Sequence, residues 1–252
     1  MFFGIDLNQT FSFPFKDADS RKYFLIGCLV SLTAFIIPLL PFFILYGYAV
    51  RIVKQIMNNE SPRMVAWDDW GDMFKDGAKM FGVRIIYSIP ILILVTPLFI
   101  SSIIMPILMS NSHGSQMNTL FPILMVIIFG TICILIPISL LLAVIIPAAE
   151  MHVVDQDEFA AGFRIREWWV ILRANLSGFI AAFAIYIVST IILGFAIQLI
   201  GATLIFACLL PFLLPAMMMY ILLIMYTTIA QAYKGGKEKL AQIEVATVVV
   251  AE

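Results

Sequence analysis

IIYSIPILILVTPLFISSIIMPILM, residues 85–109, runs for 25 residues without a charged side chain. As a helix it reaches about 37 Å, more than the roughly 30 Å of a bilayer's hydrocarbon core. The stretch belongs to a wider pattern. The 15 Lys+Arg and 16 Asp+Glu fall in four blocks: the N-terminus to Lys22, Arg51 to Arg84, Glu150 to Arg173, and the tail from Lys234. The segments between them, 23–50, 85–149 and 174–233, carry no charge. With 62% hydrophobic and 12% charged residues, against about 25% charged in soluble domains, the chain reads as an all-α, multi-pass integral membrane protein. A net charge of −1 leaves no basic surplus for nucleic acid.

The second and third uncharged segments, 65 and 60 residues long, are each long enough to cross twice. SNSHGSQMNT (110–119) predicts a turn between helices near 85–109 and 121–149. Gly201 predicts another between helices near 177–200 and 203–232, with Pro211 and Pro215 kinking the last. The first segment, 28 residues, fits either one long crossing or a hairpin turning at PLLP (38–41). A hairpin keeps every Lys and Arg on one side, as the positive-inside tendency favours. Arms of about 13 residues reach only ~20 Å, so this pair is short or re-entrant.

The expectation is three helical hairpins, about six membrane helices, with amphipathic cytoplasmic interfacial helices at 66–83 and 155–173. Residues 1–233 form a single membrane domain in the inner (cytoplasmic) cell membrane, with both termini inside, followed by a polar tail at 234–252. FPFKDADSRKYF (13–24), WDDWGDMFKDGAKMF (67–81) and DQDEFAAGFRIREWWVILR (155–173) share a pattern of acids, then aromatics and bases, consistent with three related hairpins.

In AWDDWGDMFKDGAKMFG (66–82), Asp69 suits an N-cap, and Trp70, Phe74, Ala78 and Phe81 recur on one helical face. Trp67 and Trp70 suit the headgroup level, where a ring is half buried and its N–H stays wet. Trp67, Asp68, Asp69, Trp70, Phe74 and Phe81, with Trp168 and Trp169 of the second segment, are therefore the expected membrane-interface or partner-docking residues. Arg51, Arg164, Arg166 and Arg173 are expected to meet lipid phosphates or a partner's acids. His152 and His113 read as polar surface.

Chemistry is poorly represented. Mid-span polarity is confined to groups such as Gln198, Thr131, Ser139, Ser189 and Thr190, whose hydroxyls often bond the preceding helical turn. A proton or ion pathway normally keeps ionisable residues there. No phosphate-binding glycine loop, HExxH or GxSxG occurs. Cys28, Cys133 and Cys208 form no CxxC pair, and LIGC (25–28) half resembles a lipoprotein box but follows DADSRKYF where an apolar run is needed. Neither catalytic residues, a cofactor nor a metal is expected. The reading is a non-catalytic membrane scaffold or accessory subunit that meets lipids and other subunits or itself. The alternative is lipid handling or small-molecule permeation, in an oligomer if need be.

GYAVR (47–51) followed by WDDWGDMFKDGAKMF (67–81) resembles a prokaryotic membrane family called domain of unknown function 4013. The matching elements are Gly47, Tyr48 and Arg51, then Trp67, Asp68 and Asp69, then Phe74, Gly77 and Lys79. FPFKDADSRKYFLIG (13–27) is similar to that family's start, and the likeness is clear over roughly residues 12–90. It implies a compact multi-helix bundle, similar in layout to membrane domains attached to some glycerophosphodiesterases. The phosphodiesterase domain itself has no counterpart here, and the resemblance brings no catalytic residues.

Overall fold

In a computed structural model, residues 2–111, 114–203 and 206–251 are described, and among them the chain is helical with no strand. Eight α-helices follow in order: α1 (Leu7–Ser12), α2 (Ala18–Leu32), α3 (Leu40–Met57), α4 (Trp70–Asn111), α5 (Gly114–Gln156), α6 (Ile165–Ala174), α7 (Leu176–Ala202) and α8 (Leu210–Ala251). Five of these, α3, α4, α5, α7 and α8, are long and apolar enough to cross a membrane. The protein is an all-helical membrane protein.

The uncharged segments end up as these helices, with boundaries set by local chemistry. Asp17 caps α2 by accepting from the Ser20 N–H at 2.6 Å. The first apolar segment breaks into α2 and α3 around the two prolines of PLLP, and Leu39 there has φ +76°. The break leaves an apolar tip, with Ile36 82% and Phe35 66% exposed. Asn59 and Asp157, just beyond α3 and α5, take left-handed backbone (φ +64° and +52°), which short polar side chains tolerate. In the turn predicted at 110–119, helix continues to Asn111 and resumes at Gly114; Ser112 and His113 lie outside the described residues.

Three expectations need correction. No separate helix spans 66–83, because α4 runs unbroken from Trp70 to Asn111. The segment 155–173 is divided by Asp157 into the end of α5, a 3-10 turn (Phe159–Phe163) and α6. Pro211 stands at the second position of α8, where a missing N–H costs nothing, and only Pro215 is internal. The polar tail is helical, continuing α8 through the Gly235–Gly236 pair to Ala251. A Cβ at Gly236 would lie 2.6 Å from the Ile171 carbonyl oxygen, so the glycine lets α8 pass close to α6.

The chain divides into two compact units, Met1–Val83 with Pro147–Glu252, and Arg84–Ile146. The second comprises the apolar lengths of α4 and α5, and large side chains such as Ile93, Phe99, Val126 and Phe129 are over 60% exposed. The first contains the buried core. Its tightest point is the crossing of α3 and α4. A Cβ on Gly47 would fall 1.7 Å from the Met73 carbonyl oxygen, and one on Gly77 would fall 1.7 Å from that of Phe43. The two backbones touch because neither glycine carries a side chain. Around them Met73, Met80, Tyr48, Ile52 and Trp67 are buried.

Gly47→Ala and Gly77→Ala should each force the helices apart, at a cost of about 1–3 kcal/mol. Thermal unfolding in mild detergent should show a melting point several degrees lower for each. Unchanged melting would mean that the crossing is not the tight point of the core.

Candidate functional site

The charged blocks meet in the first unit. α3 presents Arg51 one turn and Lys54 two turns beyond Gly47, and the start of α4 passes beside them. Arg51 spreads its guanidinium over two successive acids, with Nη1 3.0 Å from Asp68 and Nη2 3.0 Å from Asp69. Lys54 Nζ lies 3.0 Å from Asp76, and Lys79 Nζ lies 2.9 Å from Asp157. Longer contacts of 3.8 Å (Lys54–Asp157) and 3.7 Å (Lys79–Asp76) close these four residues into one network. The Asp69 carboxylate, expected as an N-cap, is therefore held by Arg51, while its backbone carbonyl accepts from Met73 N–H at 3.0 Å. The backbone N–H of Asp68 itself, and next the Arg51 guanidinium, hold the Asp68 carboxyl below the usual carboxylate range. A hydrogen bond from Lys79 does the same for Asp157, against the opposing effect of burial.

The segment between α3 and α4 has no regular structure, so side chains satisfy its backbone. Tyr48 Oη accepts from Val65 N–H at 3.0 Å and donates to Val65 C=O at 2.9 Å. Gln55 accepts from Arg63 N–H at 2.9 Å. Trp67 stacks on Tyr48, ring centroids 4.0 Å apart, and donates its indole N–H to the Tyr23 carbonyl at 2.9 Å.

These contacts sort the expected site residues. Trp67 (9% exposed) and Trp168 (1%) are core side chains, and Trp168 donates to the Gly162 carbonyl at 3.1 Å. They do not sit half wet at a surface, because each indole N–H finds a carbonyl inside the protein. Trp70 (42%), Phe74 (40%) and Trp169 (38%) remain exposed. Phe74 and Phe81 flank Phe43 of α3, at 5.2 and 4.9 Å between centroids. The buried stripe of α4 is Met73, Gly77 and Met80 rather than the aromatic face, since the glycine contact puts the centre of the interface at Gly77. Arg51 and Arg164 are engaged within the chain, the latter with Glu158 and with Glu167 at 3.9 Å. Arg166 and Arg173 are exposed.

Sequence reasoning missed a buried polar group on α5, α6 and α8. Glu150 is fully buried and accepts from Tyr226 Oη at 3.0 Å. His152, 3% exposed, sits between Tyr233 Oη at 2.7 Å and Glu167 at 3.0 Å. Each nitrogen of the buried ring therefore has a hydrogen-bond partner. The i,i+7 spacing of Tyr226 and Tyr233 was the available signal, but it identifies one face of α8 and not its partner. Neither Glu150 nor His152 lines the cavities of this unit described next. One, of about 520 Å³, has a mixed wall, with Gln9, Asn175, Gln231 and Lys234 beside Phe3 and Ile56. Another, of about 470 Å³, is apolar and lies between α1, α7 and α8, lined by Leu7, Phe11, Val188, Ile192 and Tyr220 among others. Among the described residues no three His, Cys, Asp or Glu are grouped to hold a metal ion.

A family model described as Protein of unknown function (DUF4013) matches residues 30–206, and the chain belongs to that family. No curated protein and no solved structure matches it.

Because the folded-state pKa of Asp157 is lowered, its ion pair stabilises above the ordinary carboxylate value and is lost as pH falls through the folded value. Asp157→Asn, which also tolerates the positive φ, should melt slightly below the parent at neutral pH, and the gap should narrow only as the pH falls below the ordinary carboxylate value. A gap that persists in acid would assign the role of Asp157 to shape rather than charge.

Proposed function

We propose that this member of the family is a non-catalytic scaffold or accessory subunit of a membrane complex, docking partners through aromatic side chains at the start of α4. The observation that carries this reading is the division among its tryptophans. Trp67 and Trp168 are core, whereas Trp70 and, one turn on, Phe74 stay 42% and 40% exposed at the edge of the face that packs on α3. A rigidly held, partly exposed aromatic pair has the composition of an interface anchor. The ion pairs beside it are internal, so the acids hold the helix in place and leave the rings to make contact.

In this reading the charged layer and both termini lie in the cytoplasm. α4 with α5 and α7 with α8 form two full hairpins of the inner membrane, and α2 with α3 dips in as a re-entrant pair. The uncovered apolar tip at Phe35–Leu40 supports the re-entrant placement, because such side chains are favourable in hydrocarbon and costly in water. Trp70→Ala with Phe74→Ala should release a partner that co-purifies with the parent protein in fixed ratio, while the variant still folds. Equal recovery by both proteins would reject the docking role.

The cavity of about 470 Å³ favours a second reading, lipid handling, since its wall is almost wholly apolar and is built partly from α7. Purified protein in liposomes should then move labelled phospholipid faster than protein-free vesicles, and Val188→Trp should slow it. Equal rates with and without protein would remove this reading.

A further inference from the structure

Helix α6 (Ile165–Ala174) leads through Asn175 straight into α7, one of the membrane-length helices. Its two sides differ sharply. Trp168, Ile171 and Leu172 are buried in the core. The opposite side shows Ile165 (54% exposed), Val170 (50%) and Trp169 (38%), and Arg166 and Arg173 are exposed with them. Positions 166, 169, 170 and 173 follow the i, i+3, i+4, i+7 rule, so the apolar groups lie between the two guanidiniums on one face.

The arginines of this face differ from others in the same unit. Arg51, Arg63 and Arg164 each end on a carboxylate. Arg166 and Arg173 make no ion pair or hydrogen bond among the described residues. Glu167, the acid of α6, is held by His152 and Arg164. The face is therefore positive as well as apolar. Isoleucine, valine and indole surface favours the acyl boundary, while guanidiniums favour phosphate and pair with its oxygens two at a time. The two arginines stand two turns apart, about 10 Å along the axis, so each can take its own headgroup.

We propose that this face of α6 is a site for anionic phospholipid, with Arg166 and Arg173 on headgroup phosphates and Ile165, Trp169 and Val170 against the upper acyl carbons. The proposal goes beyond the scaffold reading and does not depend on it. It assigns the lipid contact to two of the four arginines that composition alone left equivalent.

The test uses the full-length protein in mild detergent, titrated separately with phosphatidylglycerol and with phosphatidylcholine of the same chains, and bound lipid counted by native mass spectrometry. The parent should prefer phosphatidylglycerol by on the order of 30-fold, at about five-fold per guanidinium. Arg166→Gln with Arg173→Gln should bring the two lipids within a few-fold at unchanged melting temperature. Lysine at both positions keeps the charge without the planar fork and should fall between. Lys16→Gln with Lys22→Gln, in the N-terminal block, should leave the preference intact. A glutamine variant that folds and keeps the preference overturns the proposal, as does a parent with none. Should the glutamine variant not fold, the lysine variant decides, and equal binding of both lipids by it overturns the proposal.

Discussion

Two glycines without side chains, Gly47 on α3 and Gly77 on α4, set the geometry on which the core of the larger unit rests. A Cβ at Gly77 would lie 1.7 Å from one carbonyl oxygen of α3 and 2.7 Å from the Gly47 nitrogen, so the helices are in backbone contact. Such approach is open to glycine and closed to any larger residue. Once the crossing is fixed at this point, the register of everything near it follows. Arg51 comes over Asp68 and Asp69, Lys54 over Asp76, and Phe43 between Phe74 and Phe81.

Magnitudes indicate which of these contacts hold the unit together. Exposed ion pairs are worth roughly 0–1 kcal/mol each, and Asp68 and Asp69 remain 65% exposed. Burying a methionine or comparable apolar side chain is worth about 1.5–3 kcal/mol, and Met73, Met80 and Tyr48 are all fully buried. Packing stabilises the crossing and sets its register, and the charges add to it. A shifted α4 would separate Arg51 from Asp68 and Asp69 and Lys54 from Asp76.

The same unit buries polar groups where helices enter the apolar segments. Glu150, His152 and Thr10 are almost without exposure, yet each has a hydrogen-bond partner on the chain. Unpaired, such groups would each cost several kcal/mol. Their satisfaction from α5, α6 and α8 ties helices that are distant in sequence. Many of the charged side chains are engaged internally, and exposed aromatics and the two arginines of α6 are among the groups left to meet the surroundings. This is the composition of a surface that meets membrane or protein, and it is the basis for both functional readings above.

Much of the fold was legible in the chain itself. The charge-free segments mark the apolar helices, because the cost of charge in hydrocarbon acts on each residue wherever its neighbours lie. The break at PLLP, the helical start at Trp70 and the family likeness around Gly47, Tyr48 and Arg51 were likewise local. Tertiary structure alone decided which residues the aromatic and basic segments bury. The amphipathic pattern 70-74-78-81 showed one aromatic face of the helix, but only the backbone contact at Gly77 shows that Met73 and Met80 are the side chains it buries against the chain. Trp67 and Trp168 turned inward because carbonyls of Tyr23 and Gly162 await their N–H groups, and Trp70 and Trp169 stayed outside. Hydrophobicity is a property of one residue at a time, so a single sequence displays it. A hydrogen bond between Trp67 and Tyr23, or between His152 and Tyr233, joins positions 44 and 81 apart, and only the folded chain brings them within reach.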